Sequence, residues 1–321
     1  MWFGKRYTTQ HAEAARAAIF ADNVAVISAH NAEAGEQAWR MGVNQFSDLT
    51  TDEYVSSFEV ARKQYAAEVA RTLNRFNRSG ARPQRGGGLP SLPAAAGVPP
   101  VDWRSSGAVT PVKNQGQCAG CWAFAAVGAT EGAYQIATGA LRSLSEQELI
   151  DCAGSAFGNL GCQGGIMTNA YNYIMQNNGI DSEDDYVYAA ATDQCWTAAT
   201  KRNVAAIETW QAVKPNNESQ LEAAVAKGPV SVAIEADQAG FQHYASGVYD
   251  GACGTKLDHG VLVVGFTADY WIVKNSWGTA WGVCRSLCCM RFRVPLSTCS
   301  AALCRALSFV FPAAIVCACP K

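Results

Sequence analysis

Thirteen cysteines divide this chain of 321 residues before any periodicity is consulted. The first 117 residues carry none, six lie between Cys118 and Cys253, and seven are crowded between Cys284 and Cys319. Cysteine at this density points to an oxidising compartment, although the two groups need separate treatment. Two breaks in composition fall at the same borders. Arg78–Pro100 is Gly, Pro, Ala and Arg with almost no large apolar residue, and reads as an exposed flexible linker. From Val283 onward, 39 residues hold seven cysteines, five basic residues and no Asp or Glu, unlike anything before them.

The bulk properties exclude several classes. The length allows one large domain or two modest ones with an ample core. With 16% charged residues, a formal net charge of −2 and no basic block, nucleic acid is not an expected partner. No uninterrupted apolar run reaches the roughly 18 residues a membrane helix needs. The nearest, Ala306–Cys319, is interrupted by Pro312. Met1–Arg6 is not followed by an apolar stretch, so it does not read as a signal peptide, and the N-terminus is expected to be incomplete.

Local patterns give an outline of the fold. Ile19, Phe20, Asn23, Val24, Ile27 and Asn31 recur at three- and four-residue intervals and predict one helix over 11–31. Gly42–Asp48 breaks that pattern, with Ser47 or Asp48 as the expected cap of a second helix near 50–73. Beyond the linker, Cys121–Thr138 is small and apolar enough for a buried helix, and Ser143-Leu144-Ser145-Glu146-Gln147-Glu148 offers a capping-box start to another. After Gly228 the pattern turns strand-like, at Val230–Ile234, Val261–Val264 and Tyr270–Val273. Helices first and strands later imply an α+β arrangement of two sub-domains. There are no internal repeats.

The segment richest in chemistry runs from Pro111 to Phe124. A Gly-rich, turn-forming stretch enters a cysteine that opens a helix, where the positive end of the helix dipole favours thiolate. Cys121 is therefore the candidate nucleophile, and a neighbouring imidazolium would stabilise it further. His259, in Leu257-Asp258-His259-Gly260 ahead of a strand, is the candidate base; His11 and His30 lie in the leader and His243 in a polar loop. Asn275 can accept from the second imidazole N–H and fix the ring. Gln115 can aim its amide at a developing oxyanion beside the Cys121 backbone N–H. Each feature alone has a plainer reading: a structural cysteine, a core histidine, a turn at Asn275–Gly278. Cys118 and Cys121 could form a redox pair, but that needs a βαβ context and leaves Gln115, His259 and Asn275 unexplained.

Together these motifs resemble the papain and cathepsin L family of cysteine proteases. Its cysteine motif stands here as Cys118-Ala119-Gly120-Cys121-Trp122, with two small-residue departures. Val101–Arg104, Leu144–Leu149, Gly161–Gly165 and the Trp277-Gly278 and Trp281-Gly282 pairs also match. In the leader, Arg16, Phe20, Asn23, Ile27 and Asn31 stand at the spacing of the family's inhibitory propeptide, with Ala12 where that motif starts on Glu; Gly42, Asn44, Phe46 and Asp48 match the motif that follows.

The resemblance implies a two-lobed papain-like fold, one lobe helical and one β-barrel-like, preceded by a helical inhibitory propeptide. Its expected divisions are a propeptide over 1–76, a cleavable linker over 77–96, a peptidase domain over 97–282 and an aberrant tail over 283–321. The implied reaction is endoproteolysis through a Cys121 acyl-enzyme, without metal or organic cofactor. Gly164 and Gly165 would pair with substrate backbone, and Ile166, Met167 and Ala233 would line an apolar pocket. Trp277 would shield the His–Asn bond. Expected partners are polypeptide substrates, the chain's own propeptide and cystatin-like inhibitors, in a lysosome- or vacuole-like compartment or outside the cell. Cys118 would pair with Cys162 and Cys152 with Cys195, leaving Cys253 without its usual partner. The resemblance stops near Gly282, so the tail reads as a shifted frame or alternative exon, or as a genuine extension. If it leaves the β-rich lobe unfinished, the chain is a catalytically compromised remnant or a binding-only protein. The tail cysteines lack His, Asp or Glu companions, so zinc is not expected there. Asn77-Arg78-Ser79 and Asn217-Glu218-Ser219 are glycosylation sequons of a kind common by chance.

Overall fold

A computed structural model describes residues 3–36, 38–78, 98–196, 202–214, 217–252, 254–282, 289–293 and 313–317. The leader opens with α1 (Gln10–Glu33), capped by Thr9, whose hydroxyl accepts from Ala12 N. Ile27 is its one buried residue, because α1 packs through polar residues instead. Asn23 Nδ2 donates to Ser47 O and Leu49 O, both at 2.9 Å, and Asn31 bonds both backbone groups of Met41. Arg16 forks onto Glu53 at 2.6 and 2.8 Å, the bidentate geometry that suits guanidinium and carboxylate.

A short strand β1 (Arg40–Met41) follows, then α2 (Thr51–Ser56) and α3 (Glu59–Arg78). Neither Ser47 nor Asp48 caps α2. Thr50 does, in a reciprocal capping box with Glu53. Ser47 instead accepts from Asn44 N, and the Asp48 carboxylate takes Lys5 and Tyr7. The single helix expected near 50–73 breaks at Ser57–Phe58, where the Ser57 hydroxyl donates to Tyr54 O and drops Phe58 inward.

After β2 (Val101–Asp102) comes the helical lobe, built on α4 (Cys121–Thr138), α5 (Glu146–Cys152) and α6 (Met167–Gln176). The α4 bounds match the sequence reading. Alanines and glycines let it lie close to the sheet, and a Cβ on Gly128 would stand 2.8 Å from Leu262 Cδ2. Gly139 ends it in the left-handed conformation, φ 77°, that glycine adopts at little cost. Ser145 caps α5 by accepting from Glu148 N, but the Glu148 side chain does not return to Ser145. It accepts from Tyr173 Oη and Asp181 N, tying α5 to α6 and the next turn. The disulfides Cys118–Cys162 and Cys152–Cys195 form as the resemblance implies. Cys253 lies outside the described residues.

The second lobe comprises β3 (Thr209–Val213), α7 (Glu218–Val225), β4 (Val230–Ile234), α8 (Ala239–Gln242), β5 (Tyr244–Ser246), β6 (Val248–Tyr249), β7 (His259–Phe266), β8 (Tyr270–Lys274), β9 (Cys289–Arg293) and β10 (Ala313–Cys317). Among the described residues the sheet runs β3-β10-β4-β7-β8-β9-β6, with β2 also on β7. Every residue of β4 and β7 is buried, because α4 covers one face and the second core the other. The C-terminal segment was expected to leave this lobe unfinished. That does not hold for its two described strands: β9 pairs along all of β8, and β10 inserts between β3 and β4. The rest of 283–321 lies outside the described residues.

The leader completes both cores. Ala61 and Tyr65 are buried with α4 and α6, whereas Trp39, Tyr54 and Phe58 are buried with β4, β7 and β8. It also adds a strand, β1 pairing antiparallel with β5. Among the described residues, no helix is long and apolar enough to cross a membrane.

Candidate active site

Cys121 begins α4 at the boundary between the lobes, with the thiol buried. Its Sγ accepts from Gly260 N at 3.4 Å, which sets it beside the start of β7, where His259 stands. Cys121 is a free cysteine, in neither disulfide. His259 Nε2 lies 2.8 Å from Asn275 Oδ1. A carboxamide oxygen only accepts, so Nε2 carries the ring proton and Nδ1 of the neutral imidazole is bare. Ser276 N also donates to Asn275 Oδ1, which fixes the amide. The Trp277 ring covers His259, with centroids 4.7 Å apart and planes 32° apart.

Gln115 is locked on both sides. Its Nε2 donates to Cys118 O at 3.0 Å, and its Oε1 accepts from Ser276 Oγ at 2.6 Å. One amide N–H therefore remains beyond the bond to Cys118. Gly164 and Gly165 follow a short 3₁₀ turn, Gly161–Gln163, and Ile166, Met167 and Ala233 are buried in one cluster with Cys118 and Trp122. The structure thus brings Cys121, His259, Asn275, Gln115 and Trp277 together, with Gly164 to Met167 on the adjoining wall. Among the described residues, no group of three His, Cys, Asp or Glu side chains is arranged to hold a metal ion.

A buried ionic cluster supports the loop that carries Gln115. Lys113 Nζ bonds Glu146 at 2.7 and 2.9 Å, Glu131 at 3.1 Å and Leu144 O at 2.9 Å. Burial alone would lower the Lys113 pKa, but the two carboxylates raise it well above the ordinary lysine value. Lys274, next to Asn275, reaches across to Thr110 at the other end of the same loop. The two sides of the site are thereby clipped together.

The leader fills this site with a helix. One face of α3 and the residue before it presents Phe58, Ala61, Arg62, Tyr65, Glu68 and Thr72, the three- and four-residue spacing of a buried stripe. Phe58 meets His259 edge-on at 6.1 Å and Trp277 at 6.3 Å. Arg62 pairs with Asp237 and stands 3.6 Å from Asp258 Oδ2. A Cβ on Gly164 would meet Gln64 Oε1 at 2.7 Å and Ala61 Cα at 3.9 Å. The wholly buried Tyr65 places its hydroxyl 3.3 Å from Met167 Sδ and against the Cys121 thiol; a Cβ on Gly260 would stand 2.7 Å from that oxygen. Thr168 donates to Glu68 farther along.

Covered in this way, the candidate nucleophile and base are both held neutral. Burial pushes the Cys121 thiol up to about 11, against the opposing pull of Gly260 N–H and the Tyr65 hydroxyl. Burial pushes the His259 imidazole down to about 4, against its bond to Asn275. Between those values the site holds thiol and imidazole rather than thiolate and imidazolium. Asp258 is raised to about 8 by burial and by Asp237, despite Arg62 and the Ala236 N–H.

Sequence reasoning missed Phe58, Arg62, Tyr65 and Glu68, and on the other side Asp237, Asp258 and Gly260. The stripe in α3 was present as helical spacing, but spacing alone does not say which surface a helix covers. His243, read as a loop residue, is buried against the leader, its ring 3.5 Å from Ser47 Oγ and its backbone oxygen accepting from Gly42 N.

This architecture has relatives. Residues 98–291 match the papain family cysteine protease model and residues 2–54 the cathepsin propeptide inhibitor domain. The peptidase match therefore runs beyond Gly282, through most of β9. The chain belongs to the papain family of cysteine proteases. It is 46% identical over 269 residues to the oryzain beta chain of Oryza sativa subsp. japonica, covering 82% of this chain but 54% of that one. The chain thus spans about half the length of that relative. It is 42% identical to the senescence-specific cysteine protease SAG39 of Oryza sativa subsp. indica, covering 87% of this chain and 79% of the relative. The structure superposes on a recombinant stem bromelain precursor with a TM-score of 0.79 at 34% identity, covering 98% and 94% of the two chains.

Proposed function

We propose that this chain is the autoinhibited zymogen of a cysteine endopeptidase. The observation that carries the reading is Cys121 at the head of α4, beside a His259–Asn275 pair and covered by α3. When α3 leaves, the thiol and imidazole regain water and their ordinary titration, and proton transfer gives a thiolate–imidazolium pair. Cys121 Sγ then bonds to the scissile carbonyl carbon. The oxygen takes the negative charge and accepts from the Cys121 N–H and the remaining Gln115 amide N–H. His259 gives its proton to the leaving amine as the C–N bond breaks, leaving an acyl-enzyme. A water, deprotonated by His259, releases the acid and restores the thiol. Asn275 keeps the ring in the tautomer this exchange requires, and Trp277 keeps water from the His–Asn bond.

Gly164 and Gly165 are assigned to the substrate backbone, and Ile166, Met167 and Ala233 to an apolar pocket on the acyl side. The functional divisions are a propeptide over 1–76, a cleaved linker over 77–96, a peptidase body over 97–282 and a separate C-terminal segment from 283. The disulfides and the acid-sensitive histidines under the leader support an acidic lysosome- or vacuole-like compartment or the cell exterior. Cystatin-like inhibitors would occupy the same uncovered cleft. Peptide cleavage that appears on acid treatment and is abolished by E-64 supports this reading. An acid-treated protein that gains no E-64-sensitive cleavage excludes it.

A further inference from the structure

Arg62 brings a leader cation into the cleft, where it sits on a pair of acids. Its guanidinium is ion-paired with Asp237 and 3.6 Å from Asp258 Oδ2. Asp258 is wholly buried; its Oδ1 accepts from Ala236 N at 2.7 Å, while its Oδ2 has no hydrogen-bond partner. Glu235 adds a third carboxyl group nearby, engaged by Lys256 N and Gln238. Among the described residues no cation of the peptidase body pairs with Asp237 or Asp258. Removing the leader therefore strips this acid pair of the one cation that faces it.

The position of this pair along the cleft is set by α3. Its N-terminal end lies at Trp277, His259, Asp237 and Asp258, and its later turns lie at Gly164, Met167 and Thr168. The acids and the Gly164–Met167 wall thus occupy opposite ends of the covered groove, with Cys121 between them. We infer that in the uncovered enzyme Asp237 and Asp258 form an acidic subsite, on the leaving-group side of the scissile bond, that takes an arginine or lysine side chain of the polypeptide substrate. This rests on the protease reading above and on assigning Gly164–Met167 to the acyl side. Arginine fits best, because a planar guanidinium can reach two carboxylates at once where an ammonium offers a point charge. In the zymogen Arg62 holds that place, but on a helix whose carbonyls are engaged within the helix.

The test uses the acid-processed enzyme, with active sites counted by E-64 titration. The substrates are internally quenched peptides that differ only in having Arg, Lys, norleucine or Glu at each of the three positions after the scissile bond. A charge-assisted pair predicts kcat/KM roughly 10-fold or more higher for Arg than for norleucine at one of these positions, with Glu lowest. D237N should reduce the Arg-to-norleucine ratio towards one, and D237K should reverse the order so that Glu exceeds Arg. A merely structural role for Asp237 would scale all four peptides together. Equal rates for Arg and norleucine in titratable wild-type enzyme overturn the subsite and leave the protease reading intact. A preference confined to positions before the scissile bond overturns it equally. An enzyme with no E-64-titratable turnover of any peptide sinks the protease reading, and the subsite with it.

Discussion

Truncating Tyr65 to alanine should open the cleft without altering the proposed catalytic groups. The ring is wholly buried between Met167, Gly260 and the Cys121 thiol, in the one core cluster that includes residues of α3, α4 and α6. A buried aromatic hides about 150–250 Å², about 4–6 kcal/mol at 25 cal/mol per Å², and measured aromatic-to-alanine changes in cores cost about 3–5 kcal/mol. Taken as the loss in leader closure, that raises the open fraction by about two to three and a half orders of magnitude. The open fraction can be read as the rate at which E-64 labels Cys121 in intact zymogen at neutral pH, divided by the rate in processed enzyme. Y65F, which loses only the hydroxyl, should accelerate labelling about fivefold, the worth of one hydrogen bond. If Y65A and wild type label at the same normalised rate, Tyr65 does not hold the cleft shut, and the reading of α3 as a plug is wrong.

Two further outcomes follow from the same contacts. His259 and His243 are each pushed to about 4 by burial, so the opened form binds more protons between about 6.5 and 4, and closure weakens as pH falls through that window. Asp258, raised to about 8, has the opposite sign: closure weakens as its proton is lost between about 4 and 8. Two histidines outweigh one aspartate below about 6.5, so normalised E-64 labelling should be slowest near pH 6.5 and rise on both sides. A steady fall on acidification contradicts this. Lys113→Met strands Glu131 and Glu146, both buried, at a cost of about 3–5 kcal/mol. The melting temperature should then drop by about 6–20 °C in calorimetry, and a drop under about 2 °C would show that the cluster is dispensable.

That these residues would come together was legible because each member of the proposed catalytic set sits in a short motif: Cys121 and Gln115 on one turn into α4, His259 at a strand start, Asn275 and Trp277 on one turn. The bounds of α4 were legible too, since small and apolar residues dominate up to a glycine stop. The break between α2 and α3 was not, because no Gly or Pro marks Ser57–Phe58 and the bend is held by a serine hydroxyl. Nor was the surface α3 covers, since Tyr65 and Arg62 meet partners about a hundred or more residues away. The last strand, β10, escaped for the same reason. β10 owes its place to edges offered by β3 and β4, which no window around Ala313–Cys317 contains.

The central claim is that Cys121 is the nucleophile and that the leader alone keeps it silent. Mass spectrometry of E-64-treated protein before and after acid processing, in wild type and C121A, tests it most directly. One adduct per chain should form on Cys121 of the processed wild type, with little on the intact zymogen. C121A should form none and lose peptide turnover, as should H259A to a similar extent, because the two act as a unit. Peptide cleavage that survives in C121A, or stoichiometric labelling of another cysteine with activity lost, would contradict the account.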